Sequence, residues 1–142
     1  MYEICLANWQ LSLPDDLQFI EENGNPHFKR SDGRIEIFLK SVKLVSISDS
    51  EATAAYIQKN HENSFLDLPD YKWRMSTQTF ALGNEFRSIL KLYDQEKNYV
   101  VFSIVASLLN EAIQVTVHDY FSKSSDEARN ICKNIEASIK RV

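Results

Sequence analysis

The chain has 142 residues, 44% hydrophobic and 25% charged, and a formal net charge of −4 from 16 basic and 20 acidic residues. That length suits a single domain with its own core, covering residues 1–142. The acidic balance argues against nucleic acid as a partner, because a phosphate backbone is gripped by a basic footprint that displaces its counterions.

Tyr2 to Leu6 is a short alternating apolar run, and Trp9, Leu11 and Leu13 then alternate with Gln10 and Ser12. Period two predicts half-buried strands. Pro14 ends the second, since proline cannot donate to a ladder. Asp15 to Asn25 is acidic, with Leu17, Phe19 and Ile20 as its large apolar residues, and reads as a loop or an extended segment. Asn23 to Pro26 has the composition of a turn, and so does Ser31 to Gly33, where Asp-Gly tolerates positive φ. Ile35, Ile37 and Leu39 alternate next; the apolar phase then slips to Val42 and Leu44, which predicts a bulge between Lys40 and Val42.

A first helix is expected over Ser48–Asn63, with Ser48 and Glu51 as a capping box and a stripe of Ala52, Ala55, Tyr56 and Lys59 with Ile57 adjoining. Leu68, Pro69 and Asp70 break it. Tyr71, Trp73 and Met75 begin another alternating strand, running toward Phe80 and ending before Gly83. Phe86 to Tyr93 is the next strand, followed by a turn from Asp94 to Asn98. Tyr99 to Leu109 is nearly all apolar, as a strand buried on both faces would be. Asn110 and Glu111 turn the chain into a last strand carrying Ile113, Val115 and Val117. A second capping box, Ser124 with Glu127, opens a terminal helix whose Ala128, Ile131, Cys132, Ile135 and Ile139 recur at helical spacing.

The acid excess lies at the start. Residues 1–33 hold Glu3, Asp15, Asp16, Glu21, Glu22 and Asp32 against Lys29 and Arg30, and the remainder is balanced at 14 of each sign. Such a face either is plain solvated surface or steers a basic protein. Cys5 and Cys132 make no disulfide framework and read as small core hydrophobes, which fits a reduced, cytoplasmic setting. The opening residues lack a basic stretch followed by an apolar one, so no signal peptide is expected, and no apolar run reaches the ~18 residues a membrane span needs.

Chemistry is sparse. His118 and Asp119 are strand neighbours and point to opposite faces, so they cannot form one acid–base site. His118 also lies opposite the core positions Ile113, Val115 and Val117, and reads as structural or exposed. His27 is placed in a loop and His61 late in the first helix, with no metal-ligand spacing between them. Asp15, Asp16, Asp67 and Asp70 lack the oxygen-rich spacing of a calcium loop. There is no nucleophile motif and no glycine-rich phosphate loop, so neither an enzyme nor a cofactor is expected. Trp9, Tyr71, Trp73, Phe86 and Tyr93 either pack the core or rim a concave surface that anchors a partner.

Trp9, Leu11, Leu13 and Pro14 near the start, Gly33 to Ile37 opening a strand, and a closing Ile135 to Lys140 resemble the Mog1/PsbP-like family. The resemblance implies an α+β fold: an antiparallel sheet of about six strands sandwiched by helices. It implies binding of another protein rather than catalysis, and it carries over no functional residue. Similar bacterial members include type VI secretion adaptors and immunity-type proteins. An Asp-Arg-Thr-type segment expected early in the adaptors is missing here, which favours a general binding or immunity role. The partner would then be another bacterial protein, such as a secreted toxin or effector. Asp15, Asp16, Glu21, Glu22, Tyr71 and Trp73 are the expected contact residues. The alternatives are a small-molecule pocket between sheet and helix, and a subunit that homodimerises through an exposed edge strand.

Overall fold

Antiparallel pairing between sequence neighbours builds most of the molecule. In the computed structural model, which describes residues 1–22 and 25–142, the chain runs β1 (Tyr2–Leu6), β2 (Trp9–Leu13), β3 (Leu17–Glu22), β4 (Asn25–Arg30), β5 (Ile35–Lys43), α1 (Ser50–Leu66), β6 (Arg74–Leu82), β7 (Glu85–Asp94), β8 (Tyr99–Leu108), β9 (Glu111–Asp119), α2 (Asp126–Ser138) and β10 (Lys140–Arg141). The large sheet has seven strands in the order β3-β4-β5-β9-β8-β7-β6. A small sheet places β2 between β1 and β10. The acidic stretch after Pro14 is therefore extended, not a loop: β3 pairs with β4 from Leu17 opposite Arg30 to Glu22 opposite Asn25. Asn23 and Gly24 of the expected turn lie outside the described residues.

The two faces of the large sheet hold different cores. On one, Ile35, Ile37, Leu39, Phe102, Ile104, Val115 and Val117 meet α2 and the Trp9, Leu11 and Leu13 side of β2. On the other, α1 brings Ala54 and Ile57 to Val105 and Ala112, and Phe65 to Leu90, Leu92 and Val101. Burying strand residues on both faces explains why β8 reads as one continuous apolar run.

This arrangement also removes the expected bulge. The register between β5 and β9 is unbroken from Ile35 opposite Asp119 to Lys43 opposite Glu111. The phase slips because different helices cover different parts of the strand: Ile35, Ile37 and Leu39 face α2, whereas Val42 faces α1.

Both helix starts differ from expectation. Asp49, not Ser48, caps α1, its carboxylate accepting from the Ala52 N–H at 3.0 Å. The buried stripe is Thr53, Ala54, Ile57, Gln58 and Phe65, while Ala52, Ala55, Tyr56 and Lys59 face solvent. Apolar periodicity failed there because Thr53 and Gln58 go inside fully hydrogen-bonded. At α2, Ser125 is the N-cap at φ 66° with no side-chain cap bond. Glu127 instead accepts from Arg30 and Arg34, and Arg34 also grips the buried Asp119 at 3.0 and 3.2 Å. The apolar stripe of α2 is buried as expected. Cys132 goes inside with it, but Cys5 is exposed, because β1 is an edge strand covered only on its Ile4 and Leu6 side. Among the described residues no helix is long and apolar enough to cross a membrane.

Candidate functional site

The seat of α1 is polar and narrow. Gln58 Nε2 donates to the carbonyls of Ser88 and Ser103 at 3.0 and 2.8 Å, and its Oε1 accepts from Ser103 Oγ at 2.9 Å. Thr53 Oγ1 donates to the Leu109 carbonyl at 2.6 Å, and Ser107 Oγ to the Ser50 carbonyl at 2.5 Å. These bonds tie the helix over β7, β8 and the start of β9. The rest of that face, on β4, the first part of β5 and the far half of β9, is left without a helix.

Rings fill the open part. Register sets Phe38 of β5 between His27 of β4 and Thr116 of β9, with Glu36 opposite His118. His27 stacks on Phe38 at 4.1 Å, and Phe38 meets His118 edge-on at 5.3 Å. His118 stacks beside Tyr99 at 5.9 Å and Tyr120 at 5.7 Å. Tyr99 touches Trp73 at 5.4 Å, and Trp73 stacks on Tyr71 at 4.9 Å with planes 6° apart. The result is one continuous aromatic and imidazole band across the face. Beside it a groove of about 380 Å³ is lined by Phe38, Lys40, His61, Gln114, Thr116, His118 and Tyr120.

Several contacts hold the band in place. The Trp73 indole N–H donates to the Phe65 carbonyl near the end of α1 at 3.1 Å. The buried Asp94 accepts from the Lys72 and Lys97 backbone N–H groups at 2.9 and 3.1 Å, fixing the segment before β6 to the β7–β8 turn. Burial pushes the Asp94 carboxyl up, but these backbone donors outweigh it and hold its pKa below the usual range. His27 Nε2 pairs with the Glu36 carboxylate, and the Tyr99 hydroxyl bonds His118 Nδ1 at 2.6 Å.

His61, His118, Tyr99 and Tyr120 are held uncharged at neutral pH. Burial, helped by His61 and His27, pushes His118 down to about 4. Burial and then the Lys40 charge bring His61 to about 4. Burial and Glu36 raise Tyr120 to about 12, and burial raises Tyr99 further. Among the described residues no group of three His, Cys, Asp or Glu side chains converges on a point that could hold a metal ion. Burial lifts the Cys132 thiol to about 12, which makes it a poor nucleophile.

The expected contact residues do not gather. Tyr71 and Trp73 are in the band, half-buried, although they precede β6 rather than belong to it. Asp15 and Asp16 are exposed before β3; Asp15 pairs with the N-terminal ammonium and Asp16 lies 3.9 Å from Arg30. Glu21 and Glu22 lie in β3. β3 and β6 are opposite edges of the sheet with five strands between them. Trp9 is core on the α2 side, so the sharper role for it falls away. His27, Phe38, His61, Tyr99, His118 and Tyr120 were not foreseen as a site. Strand parity did place His118 on this face. His27 sits in a strand, not a loop, because β4 extends the sheet beyond β5.

With this architecture the chain has the Mog1/PsbP-like fold. The Saccharomyces cerevisiae Ran-binding protein Mog1p matches at a TM-score of 0.63 with 12% identity, over 99% of this chain and 95% of that one. A point mutant of Mog1 matches at 0.59 with the same identity and coverage. A Bacteroides thetaiotaomicron protein matches at 0.54 with 13% identity over 95% of this chain, which spans 45% of its length. No protein-family model matches the sequence, and neither does any curated protein. Likeness at this identity concerns the fold and transfers no residue roles.

Proposed function

We propose that the chain is a non-enzymatic protein-binding domain whose docking surface is the band from Tyr71 and Trp73 through Tyr99 and Tyr120 to His118 and Phe38. The observation that carries this is the continuity of half-buried rings on a sheet face that α1 leaves open. Rigid aromatics with polar tips give large contact area at small entropic cost and dominate many interfaces. The Mog1p neighbour is itself named for binding a protein, which supports the same kind of role. In its specific form the partner is a bacterial toxin or effector and this chain an immunity-type or chaperoning protein acting in the cytoplasm. The acidic edge at Asp15, Asp16, Glu21 and Glu22 then steers a basic partner from beyond the band rather than contacting the same patch.

The test is affinity capture from native lysate, followed by direct titration of the captured partner. Separate Trp73→Ala and Tyr120→Ala variants, checked for folding, should each weaken that partner at least about ten-fold. A partner held equally well by both variants would remove the band from the interface.

A further inference from the structure

On the opposite face, α2 packs against β2, β8 and β9 and leaves β6 and the outer part of β7 uncovered. A trough of about 350 Å³ opens there. Three cations line it: Lys91 from β7, and Arg129 and Lys133 one turn apart on α2. Lys91 sits opposite Ser76 of β6 and Phe102 of β8, with its ammonium 5.6 Å from the Tyr93 ring centre and 5.8 Å from that of Phe102. Among the described residues no carboxylate lies within ion-pair distance of Lys91 or Lys133, and Arg129 has only a 3.4 Å contact to the solvent-facing Asp126. Burial and the Arg129 charge both push the Lys91 pKa below its ordinary value, with Asp126 opposing them.

In a chain of net charge −4, three cations in one concavity with a single, solvent-facing carboxylate beside them are unusual. Their repulsion is relieved by a multiply charged anion, and a guanidinium fork flanked by ammonium groups suits phosphate oxygens. The Ser76 hydroxyl and Gln78 amide on the rim add hydrogen-bonding groups, and Ile89 with Phe102 gives an apolar floor. The volume falls in the range of small-molecule sites, about 300–1,000 Å³. We propose that this trough binds a small phosphate ester, its phosphate on Lys91, Arg129 and Lys133 and its apolar body on Ile89 and Phe102. The site lies on the other face from the aromatic band and does not depend on the protein-binding reading.

Phenyl phosphate is the probe, titrated into the full chain at low salt and followed by backbone-amide NMR. Saturating shifts confined to residues 76–78, 89–91 and 129–133, with Kd below about 1 mM and at least about ten-fold weakening in Lys91→Met, are expected. If Lys91→Met fails to fold, Arg129→Gln on the helix surface serves instead, with the same expected loss. Shifts that do not saturate, scatter over the surface or persist in the folded variant would overturn the site. A phosphoserine peptide binding more than about ten-fold tighter than phenyl phosphate would overturn the small-ester assignment and give the trough to a phosphorylated protein.

Discussion

Arg87 is 1% exposed and holds two elements together. Its Nη1 donates to the carbonyl and carboxylate of Glu136 at 3.0 and 3.1 Å, and its Nη2 to Glu85 and the Ile139 carbonyl at 2.9 Å each. The charge thus sits at the C-terminus of α2, where the last carbonyls lack helical partners and the helix dipole favours a cation. Removing a buried charge that makes these four bonds is costly because its partners stay behind unpaired. Arg87→Ala is expected to lower stability by about 3 kcal/mol, read as a reduced urea midpoint. Arg87→Lys should recover only part of that, since an ammonium cannot reach all four acceptors; full recovery would mean that charge alone matters here. Nothing in the sequence marked this arginine, because the odd-position residue of β7 meets α2 only once the sheet is assembled.

At the scale of elements, α1 shows how a helix can be recognised while its buried face is misread. Its 17 residues are bounded by Asp49 and Asp67, and the Asp49 carboxylate accepts from the Ala52 N–H, which has no helical acceptor. Asp49→Ala is expected to cost about 1 kcal/mol in thermal or urea unfolding, whereas Ser48→Ala should change little, as its hydroxyl makes no cap. An equal loss in both would restore the Ser48 capping box. α2 was the easier case. Its apolar residues recur strictly, so its core face was legible, but Glu127 was not, since Arg30 and Arg34 lie about a hundred residues away in sequence.

For the whole molecule, the assembled sheet brings all three histidines of the chain to one face, and two of them have strongly lowered pKa values. In the unfolded chain an imidazole protonates near pH 6.5, and in the folded state His61 and His118 protonate near 4. Between those values the unfolded state binds more protons, so stability rises with pH across the window. It is complete above about pH 6.5 and falls as the pH drops toward 4, by at most about 3 kcal/mol for each imidazole. The facing groups are Lys40 and His27, which also disfavour protonation of the pair. Urea titrations at pH 7 and pH 4.5 should show the loss, and His118→Phe should flatten the slope. A stability independent of pH across this window would mean that the imidazoles are solvated in the folded state.

Local pattern determined the two helices, strands β1, β2 and β5, the meander from β6 to β9, the buried stripe of α2 and the side of β9 on which His118 sits, but not strands β4 and β10. Those features follow from periodicity and turn residues, which act within a few positions. The tertiary structure decided the rest. Only cross-sheet register sets Phe38 between His27 and Thr116, and only the seat of α1 leaves that surface open. Thr53 and Gln58 are polar by composition and buried by partnership, a property that belongs to Leu109, Ser88 and Ser103 as much as to themselves. The Lys91, Arg129 and Lys133 trough is likewise invisible in a sequence with an acidic balance, because charges separated along the chain converge only when α2 lies across the sheet.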